Sequence, residues 1–152
     1  MASRAHNRVE VLHGVNFDVL AERDRVIYGG FTLPELEVQI KRFAEDLELE
    51  VRCFQTNYEG EFVEHLHRLP KIADAAIINA GAWTHYSWAI RDAFDFTGVP
   101  AVEVHLSDIS QREEWRRRSV FEGLDTILGQ VYGKGPDGYR EALELIAGKL
   151  DG

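Results

Sequence analysis

Ala75-Ala76-Ile77-Ile78-Asn79 is the stretch that decides the fold. Its apolar residues run without polar alternation, which describes a short strand buried on both faces. Such strands belong to parallel sheets covered by helices on each side. Val99 to His105 repeats that character downstream. Upstream, Arg8 to His13 carries Val9, Val11 and Leu12, and Leu49 to Phe54 alternates Leu49, Val51 and Cys53. Thr126 to Tyr132 supplies a fifth strand.

Helical patterns fill the intervals. Thr32-Leu33-Pro34-Glu35 fits a capping box, with Thr32 as N-cap and Pro34 in a first turn where no intrahelical donor is lost. Leu36, Ile40, Phe43 and Leu47 then recur at helical spacing. Glu61 to Leu69, Ser87 to Phe96 and Gly138 to Leu150 read as further helices, with Thr84 or Ser87 as a cap. Arg112 to Arg117 reads as a short helix on which Arg112 and Arg116 share a face.

Alternation of this kind predicts an α/β domain: a five-stranded parallel sheet with helices on both faces. Right-handed crossovers favour a doubly wound, flavodoxin-like layout. Ligands in such sheets bind beyond the carboxyl ends of the strands. The segments His13 to Asn16, Asn79 to His85 and Glu103 to Ser107 are therefore expected to converge.

The 152 residues suit one domain over 1–152, with 1–7 as a flexible tail. The net charge of -9 disfavours nucleic acid and anionic membrane as partners. Cys53 is the only cysteine, which excludes an intrachain disulfide and a thiolate zinc site. No apolar run approaches the roughly 20 residues needed to span a bilayer. The first residues lack an apolar signal segment, so the cytoplasm is the expected location.

Glu103 and His105 alternate onto the same side of their strand. A carboxylate beside an imidazole fixes its tautomer and favours its protonated form, as a general acid requires. A buried structural pair reads equally well from the fragment alone. Asn79-Ala80-Gly81-Ala82-Trp83-Thr84-His85 offers small residues and two polar groups on a site-facing loop, or an ordinary capped loop. Asn16 to Tyr28, backed by Gly29 and Gly30, reads as a lid with a glycine hinge. A phenol is a poor base at neutral pH unless a guanidinium favours its phenolate, so Arg23 with Tyr28 is a candidate activated base. An exposed arginine and a packed tyrosine would be the plain alternative. Arg112, Arg116, Arg117 and Arg118 form a basic cluster able to meet an anion, or simply a solvated face.

Taken together, these blocks resemble the type II 3-dehydroquinate dehydratases. His13-Gly14-Val15-Asn16-Phe17 with Arg23 and Tyr28-Gly29 is similar to the N-terminal signature of that family. Gln55-Thr56-Asn57-Tyr58-Glu59-Gly60-Glu61, Ile78 to His85, Ile90-Arg91-Asp92-Ala93, Glu103 to Ser107 and Gln111-Arg112-Glu113-Glu114 with Arg116 complete the likeness. The resemblance implies a flavodoxin-like fold and anti elimination of water from 3-dehydroquinate through an enolate, with no cofactor and no metal. The step serves the shikimate and quinate routes. The resemblance makes Tyr28 the base, Arg23 its activator and His105 the acid, with Glu103 orienting His105. By the same resemblance Asn16 is expected to place a water near the enolate oxygen, Asn79, His85 and Arg116 to bind substrate, and the amides of Leu106 and Ser107 to hold its carboxylate. It also implies that Asp92 comes from a neighbouring subunit, in trimers assembled into a dodecamer.

Several positions depart from the pattern. Val15 replaces a proline, His13 an asparagine, Ala21 a glycine and Arg118 a histidine. Trp88 replaces an aliphatic residue one turn before Asp92. These changes keep open a paralogue that binds a related cyclic polyol acid without turnover.

Rival signals are weaker. Gly133-Lys134-Gly135-Pro136-Asp137-Gly138 fits G-x-G-x-x-G but lacks a downstream strand, and reads as a close-packed turn. His65 and His67 face different directions on a helix, Cys53 reads as core, Trp115 as packing, and Trp83 as either. A flavin site would want Ser or Thr in the loop after strand one, and Gly14 to Asp24 has none. A phospho-receiver would want acids where His13 and Asn79 stand.

Overall fold

The computed structural model describes residues 6–152. Five parallel strands, β1 (Arg8–His13), β2 (Glu50–Gln55), β3 (Ala75–Asn79), β4 (Ala101–His105) and β5 (Ile127–Tyr132), form one sheet in the order β2-β1-β3-β4-β5. The helices are α1 (Arg25–Tyr28), α2 (Leu33–Asp46), α3 (Glu59–Ile72), α4 (Trp88–Thr97) and α5 (Asp137–Asp151). This is the doubly wound, flavodoxin-like arrangement expected from the alternation. Its strand order reverses between β1 and β3.

Period-two alternation sorts the core into two layers. Val9, Val11, Ile77, Val102 and Val104 point to one face and meet Leu36 and Ile40 of α2 and Leu143 and Ile146 of α5. Leu12, Ala76 and Ile78 point to the other and meet Phe62 and Leu66 of α3 and Ile90 and Phe94 of α4. Every residue of β3 and β4 is buried, as a strand covered on both sides requires. The edge strands β2 and β5 are only partly covered.

The capping box forms: Thr32 Oγ1 accepts from the Glu35 N–H at 3.2 Å, and Glu35 Oε1 accepts from the Thr32 N–H at 3.1 Å. Ser87, not Thr84, caps α4, its Oγ accepting from Ile90 N–H at 3.1 Å. That helix ends on Gly98, whose left-handed φ of 67° suits glycine. Helix α3 runs to Ile72, past the expected end at Leu69. Pro70 removes only its own donor, and the next turn still closes, with Ala73 N–H on the Leu69 carbonyl at 3.0 Å. β4 begins at Ala101 rather than Val99, because Pro100 has no N–H for the ladder. The tail expected over 1–7 lies, for residues 1–5, outside the described residues; the Asn7 carbonyl accepts from Glu50 N–H at 2.8 Å.

The short Arg112 to Arg117 helix does not form as expected. Two 3-10 turns, Ile109–Gln111 and Glu114–Arg117, flank an extended Arg112. Asp108 caps the first turn, its carboxylate accepting from the Ser110 N–H at 3.0 Å, and that turn ends on Arg112 before Glu113 begins the second. Arg112 and Arg116 nevertheless both meet the Glu113 carboxylate, with Nε–O distances of 3.6 and 2.5 Å. Among the described residues no helix is long and apolar enough to cross a membrane. Burial pushes the Cys53 thiol up to about 12, which suits a side chain packed against the core.

Candidate active site

The loops after β1 and β3 are pressed together at the sheet's carboxyl edge. Gly14 N–H donates to the Asn79 carbonyl at 2.9 Å. A Cβ on Gly14 would sit 2.1 Å from the Ala80 carbonyl oxygen, so only glycine allows the approach. Above this floor, Arg23, Tyr28, Asn79, His85, His105, Leu106, Ser107 and Arg116 line a single cleft, together with Phe17 and Ile109. The cleft is narrow and open to solvent on one side.

One wall is built on α1, a single turn capped at both ends. Asp24 accepts from the N–H groups of Val26 and Ile27, and Gly29 closes the turn with a φ of 98°. This holds Tyr28 half-buried and facing Arg23. Arg23 Nη2 donates to the Tyr28 hydroxyl at 2.8 Å. Arg112 Nη1 donates to the same oxygen at 3.1 Å and to Ser107 Oγ at 3.2 Å. Two guanidinium groups on one phenol oxygen stabilise negative charge there. Sequence reasoning leaves Arg112 in a general basic cluster and gives it no catalytic role. Reading Ser107-Asp108-Ile109-Ser110 as a turn instead of a helix start would free it for one.

The opposite wall is β4. His105 Nε2–H donates to Glu103 Oε2 at 2.6 Å. Glu103 is 1% exposed and its other oxygen accepts from Ser119 Oγ at 2.7 Å, with Gln130 Nε2 reaching Oε2 at 3.3 Å. A carboxylate buried this deeply needs such donors, and they aim it at the imidazole. With Nε2 committed, Nδ1 is the His105 nitrogen left for a ligand. His85 stacks beside His105, ring centres 6.1 Å apart. Its Nδ1–H donates to the Arg118 carbonyl at 2.6 Å, leaving Nε2 as an acceptor. Burial, with His105 and Arg116 nearby, holds His85 below the ordinary imidazole range and so neutral. The two imidazoles thus turn different nitrogens to the cleft, Nδ1 of His105 and Nε2 of His85.

The Leu106 and Ser107 carbonyls accept from Gly135 and Gly133 N–H at 3.3 and 3.1 Å. Those glycine amides, which a dinucleotide motif would turn toward phosphate, are spent on this turn. Arg116 reaches the cleft with its Nε on Glu113 at 2.5 Å. Trp115, expected to be packing, stands half-exposed in a separate depression with His85, Glu114 and Arg118, and meets His85 edge-on at 5.4 Å. Trp83 belongs to the core, against Phe62.

Two candidate residues are not brought into the cleft. Asn16 is exposed, in a left-handed conformation with a φ of 71°, and its N–H donates to Asn57 Oδ1 at 2.8 Å. Phe17 lines the cleft instead. Asp92 lies on α4, in a surface groove with Val63, His67 and Phe96. Sequence reasoning also passes over Ser119 and Gln130, which carry no local signal because they meet Glu103 only through the fold.

The sequence profile of the family described as dehydroquinase class II matches residues 7–147. A 3-dehydroquinate dehydratase from Syntrophotalea carbinolica is 48% identical over 141 residues, covering 92% of this chain and 93% of the relative. Among solved structures, a type II dehydroquinase from Butyrivibrio crossotus superposes with a TM-score of 0.87 at 34% identity, over 97% of this chain and 99% of that one. The type II dehydroquinase from Propionibacterium acnes gives 0.86 at 34% identity, over 95% and 99%.

Proposed function

This chain belongs to the class II dehydroquinase family, and from that premise we propose that it is a 3-dehydroquinate dehydratase, a hydro-lyase working by anti elimination through an enolate. The observation that carries the reading is the pairing of two proton-handling units across one cleft. Tyr28 lies between Arg23 and Arg112 on one wall, and His105 is backed by Glu103 on the other.

The chemistry follows from that separation. A ketone makes its α-proton acidic, so neither a Schiff base nor a metal is needed to form a carbanion equivalent. The Tyr28 phenolate takes this proton, its charge having been held by the two guanidinium groups until that moment. The electron pair moves onto the ketone oxygen as an enolate, which needs positioned donors and positive charge. Arg23 supplies charge, and Asn16, which lies outside the cleft here, would have to move inward to order a water at that oxygen. The enolate then expels the β-hydroxyl, which leaves as water with a proton from His105. The ring becomes a conjugated enone, 3-dehydroshikimate. A base and an acid on opposite walls suit an anti geometry. The Leu106 and Ser107 amides take the substrate carboxylate, and Asn79, His85 and Arg116 take its hydroxyls.

The test is an ultraviolet assay for enone formation from 3-dehydroquinate with chelator present. Turnover at an undiminished rate supports the reading and its metal independence. Binding without any enone would leave a paralogue that holds the substrate only.

The proposal extends to assembly. Asp92 stands outside its own chain's cleft, on a face that also exposes Trp88 and Phe96. Delivery of Asp92 to a neighbour's cleft requires a homo-oligomer, with trimers forming a dodecamer, and a cytoplasmic setting keeps Cys53 reduced. Light scattering is expected to report the mass of twelve chains, and the mass of a single chain would remove the shared site.

A further inference from the structure

Behind the cleft, His13 and Tyr139, which the elimination chemistry does not use, form a network with the substrate-facing Asn79. His13 ends β1, Tyr139 lies in the first turn of α5, and both are fully buried. Asn79 ends β3, is 2% exposed, and alone of the three lines the cleft.

The donors and acceptors follow from counting the partners each group has. Gly81 N–H donates to Asn79 Oδ1 at 3.4 Å, which identifies the amide oxygen. Nδ2 therefore faces the Tyr139 hydroxyl, at 3.2 Å, and can only donate to it. Burial pushes the Tyr139 phenol upward, so it keeps its proton. The acceptor within reach of that proton is His13 Nε2, at 2.8 Å. His13 then carries its own proton on Nδ1, which is buried without a partner among the described residues. Burial drives His13 down to about 3, so Nε2 keeps its lone pair at any working pH. The relay runs in one direction, from Asn79 to Tyr139 to His13. One Asn79 N–H remains uncommitted for the cleft.

We propose that His13 and Tyr139 are positioning residues that lock the Asn79 amide with a donor, not an acceptor, toward the bound substrate. This rests on the dehydratase reading of the cleft. A terminal amide torsion is broad and roughly two-fold. Without the lock, the amide can turn its oxygen toward a substrate oxygen and repel it. The orphaned His13 Nδ1–H is an energetic penalty that the lock retains. His13 stacks on Phe17, 4.6 Å away, which lines the same cleft. The network thus ties the floor of the cleft to α5.

Tyr139→Phe keeps the ring in the core and removes the hydroxyl. It is expected to raise KM for 3-dehydroquinate about tenfold, through lost preorganisation, with kcat changed by less than about threefold. His13→Leu is expected to do the same. His13→Gln, which returns an acceptor close to the position of Nε2, is expected to recover most of the affinity. In an Asn79→Ala background Tyr139→Phe should change KM no further, because its effect runs through the absent amide. An unchanged KM in Tyr139→Phe, or additive effects in the double variant, would overturn the lock. Should the parent protein form no enone, the activity reading fails separately. A neutron structure of Tyr139→Phe, which tells amide N–H from O, needs no ligand: an Asn79 amide turned from its parent orientation supports the lock, and an unmoved amide rejects it.

Discussion

Tyr28→Phe is expected to lower kcat for 3-dehydroquinate by about 10³-fold or more, within the range general-base catalysis supplies, while ligand affinity stays within a few-fold of the parent. The substitution deletes one oxygen and leaves the ring in place. That oxygen is the shared acceptor of Arg23 at 2.8 Å and Arg112 at 3.1 Å. Arg23 lines the half-open cleft and Arg112 the depression beside it, so water can satisfy both in the variant, and Arg112 keeps Ser107. The substrate's hydroxyls and carboxylate find the same partners as before. What disappears is the group that removes the α-proton. A loss confined to kcat, with KM or a calorimetric Kd preserved, is the mark of an interaction used only in the reaction. Exchange of the substrate's α-proton with solvent deuterium should vanish with turnover. Full activity in Tyr28→Phe would take the phenol out of the mechanism.

His105→Ala is expected to lower kcat by about 10²- to 10³-fold for a different reason. Removing the acid blocks departure of the hydroxyl and leaves enolate formation possible. Exchange of the α-proton with deuterated solvent should therefore continue while enone formation stalls. The pair of variants separates the two halves of the reaction: Tyr28→Phe silences both signals and His105→Ala only one. His105→Ala also strips a hydrogen bond from Glu103, which is buried and would keep only Ser119 and Gln130 as partners. An unpaired buried carboxylate destabilises a fold strongly. His105→Gln, whose side-chain amide can still donate to Glu103, separates a folding defect from a chemical one. Normal elimination in a folded His105 variant would reject the acid assignment.

The fold is legible in the sequence because its determinants are local and periodic. Ala75 to Asn79 reads as a strand hidden from water on both sides, and it is buried throughout. Thr32 and Glu35 form their reciprocal cap because both ends of the box lie within four residues. The boundaries move where a single proline acts. Pro70 is tolerated near a helix end and Pro100 delays a strand, and both outcomes depend on which neighbours supply the missing partner.

The candidate site divides along the same line. Glu103 and His105 belong together by strand alternation, and Arg23 with Tyr28 by short separation, so each pair is recognisable from residue spacing. Arg112 is not, because it is extended between two turns where its spacing suggests a helix, and it meets Tyr28, 84 residues away in the chain. Ser119, Gln130, Tyr139 and His13 are the same kind of case. A sequence by itself determines which residues can be strand, helix, base or acid, since these follow from side-chain chemistry and short-range geometry. The tertiary structure alone decides which of them touch, since hydrogen bonds act over about 3 Å and only the closed sheet brings distant strand ends within that reach.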